Sequence, residues 1–130
     1  MDVESKVEGM PDKIARWGLL STARINERMI PAMRVAERSE VLAVCSRNQE
    51  KDEAYAAQRE IPRAYGSYDQ MLDDPDVNVV YISLPNSMHR EWAIKTAEAG
   101  KHILCEKPLA QTGQDVDAMA QAAQRNGVVL

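Results

Sequence analysis

Ile14-Ala15-Arg16-Trp17-Gly18-Leu19-Leu20-Ser21-Thr22-Ala23-Arg24-Ile25-Asn26 decides the fold. Residues 14–20 form a short, largely apolar run that reads as a buried strand. The period then changes: Ile25, Met29, Ala32, Met33 and Ala36 recur at helical spacing. A strand handed to a helix by a tight turn of small residues is the first unit of a parallel sheet, and the chain repeats it. Residues 41–45 are strand-like. Ala54, Ala57 and Ile61 mark a second helix, which the neighbourhood of Pro62 ends. A short strand near Ala64-Tyr65 precedes a turn of helix over residues 68–72, where Ser67 and Gln70 fit a capping box. Asp73-Asp74-Pro75-Asp76 reads as a loop, and residues 77–84 as a β-branched strand stopped by Pro85-Asn86. Met88, Trp92, Thr96 and Ala99 line a helix that ends with Gly100 in the C′ position. A strand runs to Cys105, a last helix carries Val116, Met119, Ala120 and Ala123, and Asn126-Gly127 closes it. Val128-Val129-Leu130 starts another strand.

Strands alternating with helices of about a dozen residues imply a mainly parallel sheet, and near-continuous apolar strands imply helices on both faces. The expected fold is α/β, a Rossmann-type doubly wound parallel sheet over residues 13–130. Residues 1–12, with Gly9 and Pro11 and no apolar period, read as a flexible tail.

The 130 residues suit one domain, and 45% hydrophobic with 28% charged residues is ordinary globular composition. A net charge of −4 argues against nucleic acid or an anionic membrane as partner. No apolar run approaches the ~20 residues that a bilayer needs, and the polar start lacks the apolar stretch of a signal peptide. Cys45 and Cys105 lie near strand ends among aliphatic residues. Reduced thiols and a cytoplasmic location are expected.

A sheet of this kind binds a dinucleotide's pyrophosphate at its first strand–helix turn. The glycine fingerprint G-x-G-x-x-G aligns on Ser21, Ala23 and Asn26, so none of its glycines is present. Ser21, Thr22 and Ala23 are still small, and Arg24 adds charge at the head of the helix. A small-residue turn with no ligand is the competing reading. At the end of the second strand, where an NAD site usually places a carboxylate, the chain has Ser46-Arg47. A hydroxyl and a guanidinium suit a 2′-phosphate, so NADP is favoured over NAD. Arg47 could equally be a solvated loop arginine.

Two further strands end in polar turns on the same edge: Leu84-Pro85-Asn86-Ser87-Met88-His89 and Glu106-Lys107-Pro108. Asn86 is a natural N-cap. His89 is either a site residue or a surface residue of the first helical turn. Lys107, partly desolvated beside a cofactor, could donate to an oxygen and share a proton. Glu106 could hold sugar hydroxyls or partner the lysine. The alternative is a turn fixed by Pro108 with an exposed lysine.

These segments resemble the N-terminal dinucleotide-binding domain of the glucose-fructose oxidoreductase / inositol dehydrogenase / rhizopine-catabolism family. Trp17 to Ile25, Ser46-Arg47, the stretch from Asp76-Val77 through Pro85-Asn86 to His89, and Glu106-Lys107-Pro108 carry the likeness, over residues 13–130. The resemblance implies NAD(P)-dependent oxidation or reduction of a sugar, polyol or related compound. It implies that Lys107 is the catalytic lysine, that Ser21 to Ile25, Ser46, Arg47, Leu84, Pro85, Lys107 and Pro108 bind cofactor, and that Asn86, His89 and Glu106, also cofactor-binding, lie near the nicotinamide ribose. Its Ser-Thr-Ala turn is similar to that of dihydrodiol and xylose dehydrogenases, which favour NADP. The resemblance also implies a second domain supplying the substrate pocket, an oligomer interface and further catalytic residues. The expectation is that these residues alone bind nucleotide without turnover.

Two other readings compete. A phosphoacceptor receiver domain also ends a late strand in Lys-Pro, but it needs an acidic pair after the first strand and an Asp on the central one. This chain has Ser21-Thr22 and Ser83-Leu84 there, so no metal site of that kind is expected. The other is a non-catalytic module that binds NADP or a protein.

Overall fold

The computed structural model describes residues 13–130, so the expected tail lies outside the described residues. Five strands form one sheet: β1 (Ala15–Leu20), β2 (Ser39–Cys45), β3 (Arg63–Tyr65), β4 (Val79–Ile82) and β5 (His102–Cys105). All pairs are parallel and the order is β3-β2-β1-β4-β5. The order reverses between β1 and β4, which makes their C-terminal ends the switch point where such sheets bind ligands. The doubly wound expectation holds.

Helices α1 (Asn26–Val35) and α2 (Gln49–Arg59) cover one face; α3 (Tyr68–Leu72), α4 (His89–Glu98) and α5 (Gly113–Arg125) cover the other. The first face packs Leu19, Val44 and Tyr81 against Ile30, Met33 and Ala56. The second packs Leu20, Val80, Ile82 and Ile103 against Met71, Trp92, Ala97 and Met119. Gly18 sits at a register shift between β1 and β2. A Cβ there would come within 2.9 Å of the Met71 and Val77 side chains, so only glycine lets α3 approach the sheet.

Local signals hold at the ends. Ser67 Oγ accepts the Gln70 N–H at 3.1 Å, and Gly100 takes φ 76 just past α4. The helix faces differ from the expected stripes. In α1 the buried residues are Asn26, Ile30 and Met33, whereas Ile25 and Ala32 face solvent and Ala36 lies beyond the helix. In α2 they are Asp52 and Ala56, with Ala54 and Ala57 exposed. Ala99 and Ala120 are exposed too. Alanine marks either side of a helix, and the positions displacing it include polar residues bound inside the protein. Residues 128–130 are not a strand; the Ile103 N–H donates to the Val129 carbonyl at 2.8 Å, a single rung beside β5. Among the described residues, no helix is long and apolar enough to cross a membrane.

Candidate nucleotide-binding site

Ser21, just past β1, has φ 128, a conformation that favours glycine. Holding a side chain there costs about 1–3 kcal/mol. Hydrogen bonds keep it in place: its N–H donates to Cys45 O at 3.0 Å, its Oγ accepts the Ala23 N–H at 2.9 Å, and it meets Ser83 Oγ at 3.0 Å. Asn26, at the third fingerprint position, is fully buried. Its amide donates to Ser21 O at 2.8 Å and Tyr55 Oη at 3.3 Å, while Oδ1 accepts from Ser83 Oγ at 3.1 Å. With Ser83 donating to Asn26, the Ser21 hydroxyl donates to Ser83. The missing glycines are therefore replaced by a bonded Ser21–Ser83–Asn26 chain. Among the described residues, the N–H groups of Thr22, Arg24 and Ile25 keep no internal acceptor, as suits an anion at a helix start.

At the end of β2, Asn48 Oδ1 caps α2 by accepting the Lys51 N–H at 3.0 Å. Ser46 is anchored to fully buried Asp52: its N–H donates to Oδ2 at 2.7 Å and its Oγ to Oδ1 at 2.5 Å. Arg47 and Lys51 are exposed. A cleft of about 570 Å³ opens above the switch point, lined by Ser21 to Ala23, Ser46 to Asn48, Lys51, Tyr68 and Ser83 to Pro85.

Past the cleft lie the turns after β4 and β5. Asn86 does not cap the helix; it opens a 3₁₀ turn, Asn86–Met88, and the N-cap of α4 is Met88. His89 is buried, 1% exposed, so it is not a surface residue. Its Nε2 meets Leu84 O at 2.7 Å, and its Nδ1 meets Pro108 O and Leu109 O, each at 3.0 Å. The imidazole thus bolts one strand-end turn to the other. Glu106 is held from below by Tyr81, whose hydroxyl donates to Oε2 at 2.5 Å, and by the Lys107 N–H at 3.2 Å. The Tyr81 bond, foremost, holds the Glu106 carboxyl below its ordinary value, and burial pushes the Tyr81 phenol up. Burial pushes the Cys105 thiol up to about 11. Lys107 is exposed in the bare domain. Its peptide bond to Pro108 is cis.

The structure thus gathers Ser21, Thr22, Ala23, Ser46, Arg47, Leu84 and Pro85 around one cleft. Arg24, Ile25, Asn86, His89, Glu106, Lys107 and Pro108 stand outside its lining, on the adjoining helix start and turns. Sequence reasoning missed Asn48, Lys51, Tyr68 and Ser83, and behind them Asn26 and Asp52. Lys51 had a weaker signal: it is a second cation in the first turn of the helix that follows Arg47.

Residues 15–130 match the model of the oxidoreductase family with an NAD-binding Rossmann fold known as Gfo/Idh/MocA, and the chain belongs to that family. It is 46% identical over 115 residues to an uncharacterized oxidoreductase of Rhizobium meliloti, covering 88% of this chain and 34% of that one. It is 43% identical over 116 residues to a 1,5-anhydro-D-fructose reductase of Ensifer adhaerens, again covering 88% and 34%. Among solved structures it is similar to a 3-ketoreductase from Actinomadura kijaniata in complex with NADP and TDP-benzene. There the TM-score is 0.84 and the identity 30%, covering 90% of this chain and 36% of that one. The chain therefore spans about a third of the length of these relatives.

Proposed function

We propose that this chain binds NADP in the cleft at the switch point and serves an oxidoreductase that moves a hydride between the nicotinamide and a sugar- or polyol-like compound. The observation that carries the reading is one cleft bringing the Ser21–Ala23 turn together with Arg47 and Lys51. In this reading the pyrophosphate lies on the free N–H groups of Thr22, Arg24 and Ile25, and Arg47 with Lys51 faces the 2′-phosphate. The adenine stacks by Arg47, and the dinucleotide passes Leu84 and Pro85 toward Asn86 and Glu106. Bound cofactor supplies the hydride. Lys107, beside Glu106 at the mouth, exchanges a proton with the substrate oxygen, becoming desolvated only when nucleotide and substrate cover it. His89 acts from behind, setting the spacing of the two turns. The named reductases among the relatives support the substrate class, and the free thiols of Cys45 and Cys105 are compatible with a cytoplasmic protein.

Calorimetric titration of the chain with NADPH and NADH tests the reading. NADPH is expected to bind more tightly. Equal affinities, or tighter NADH, would remove the NADP assignment, and no binding of either would remove the site.

A further inference from the structure

Behind the Ser46-Arg47 loop, read above as the 2′-phosphate side of the cleft, lies a charge that a 2′-phosphate site has no evident use for. Asp52 is fully buried in the first turns of α2, directly behind Ser46. One carboxylate oxygen accepts the Ser46 N–H at 2.7 Å and the other accepts the Ser46 hydroxyl at 2.5 Å. Both oxygens receive a hydrogen, the pattern of an ionised carboxylate. No lysine, arginine or histidine forms an ion pair with it among the described residues. The hydroxyl of Ser46 has one hydrogen, and Asp52 takes it. Toward the cleft, Ser46 therefore offers lone pairs alone.

That polarity distinguishes the two forms of the cofactor. A 2′-phosphate brings only acceptors, so it gains no hydrogen bond from the Ser46 hydroxyl, and the Asp52 charge behind that hydroxyl repels it. A free 2′-hydroxyl brings a hydrogen, which Ser46 can accept. Arg47 and Lys51, on the same rim, favour the phosphate. The rim thus holds opposed determinants.

We infer that Asp52, acting through Ser46, is a specificity-determining positioning residue that admits the unphosphorylated ribose and narrows the preference for NADPH over NADH. This rests on the reading of the cleft as a dinucleotide site. Asp52 reproduces at one remove what a carboxylate at the strand end does in an NAD site. The carboxylate stays buried, and the serine relays its preference for a hydroxyl.

The test is calorimetric titration of the chain and its variants with NADPH and with NADH. Asp52→Asn keeps the shape, removes the charge and turns an amide N–H toward Ser46 Oγ, which frees the hydroxyl hydrogen for the cleft. The ratio of the NADH to the NADPH dissociation constant is expected to rise on the order of tenfold. Ser46→Ala, a smaller change at a half-buried position, is expected to weaken NADH more than NADPH, raising the ratio several-fold. In the Ser46→Ala background, Asp52→Asn should raise it less than in the unaltered chain. A purely structural anchor would shift both affinities together, so a ratio unchanged within about twofold in Ser46→Ala, or in folded Asp52→Asn, overturns the inference while leaving the nucleotide site standing. Failure of the unaltered chain to bind either nucleotide overturns the site and the inference together.

Discussion

The turn after β1 and the turn after β5 both stand at the C-terminal edge of one parallel sheet, yet they are finished in opposite ways. At the first, Ser21 and Asn26 are buried and satisfied by bonds that reach β2, α2 and Ser83 just past β4. At the second, Glu106 is fastened from beneath but Lys107 projects into solvent. The difference follows from what each would do. A phosphate is held by backbone N–H groups that must already point the right way, so the turn behind them is rigid. A proton donor acts only once substrate and cofactor enclose it, so leaving it exposed in the bare domain avoids burying an unpaired charge.

The largest effect that would sharpen this contrast is on turnover. In a form of the protein that turns over substrate, Lys107→Ala should lower kcat on the order of 10²- to 10⁴-fold and leave NADPH affinity within about threefold. Normal turnover in steady-state kinetics would return Lys107 to an exposed turn residue.

The rigid half can be broken next. Asn26→Leu fills the same space but strands Ser21 O and Ser83 Oγ, so it should lower stability by about 2–4 kcal/mol in urea unfolding. It should also weaken NADPH binding more than tenfold. A variant of unchanged stability would show that the buried asparagine merely fills space. A smaller effect isolates the strain. Ser21→Ala keeps a Cβ at φ 128 and loses the hydroxyl, whereas Ser21→Gly loses the hydroxyl and relaxes the backbone. The glycine variant should be the more stable by about 1–2 kcal/mol. Equal midpoints would mean that Ser21 stores no strain.

The same contrast explains what could be read from the sequence. The strands were legible because residues such as Val41 to Cys45 and Val80 to Ile82 are buried on both faces and carry no charged interruption. Arg47 and Lys107 were legible as candidates because each is a charged residue set at a strand end, and both are exposed. Asn26 and Asp52 were not, because a buried polar residue gives no apolar signal. Asn26 is paid for by Ser83, 57 positions away, and only the sheet order brings them together. The sequence offered His89 as a site or a surface residue, and its burial depends on the carbonyls of Pro108 and Leu109, which the segment after β5 supplies.

The smallest effect concerns how the open half is anchored. Tyr81 is 1% exposed and its hydroxyl is the foremost cause of the depressed Glu106 carboxyl. Tyr81→Phe keeps the ring in the core and deletes that donor, which should cost about 1 kcal/mol at neutral pH, since Glu106 itself is partly solvated. A carboxyl whose folded pKa lies below its unfolded value contributes its full stability above the unfolded value and loses it as pH falls through the folded one. The stability gap between the unaltered chain and Tyr81→Phe should therefore close as pH drops below the ordinary carboxylate range of about 4. By NMR titration the Glu106 carboxyl in the variant should move up toward its ordinary value. It should not reach it, because the Lys107 N–H still donates to the other oxygen. A gap that persists in acid, with the Glu106 titration unmoved, would mean that Tyr81 supports the sheet by packing alone. Glu106 would then be as loosely held as the lysine beside it, and the strand-end turn would be open in both of its charged residues.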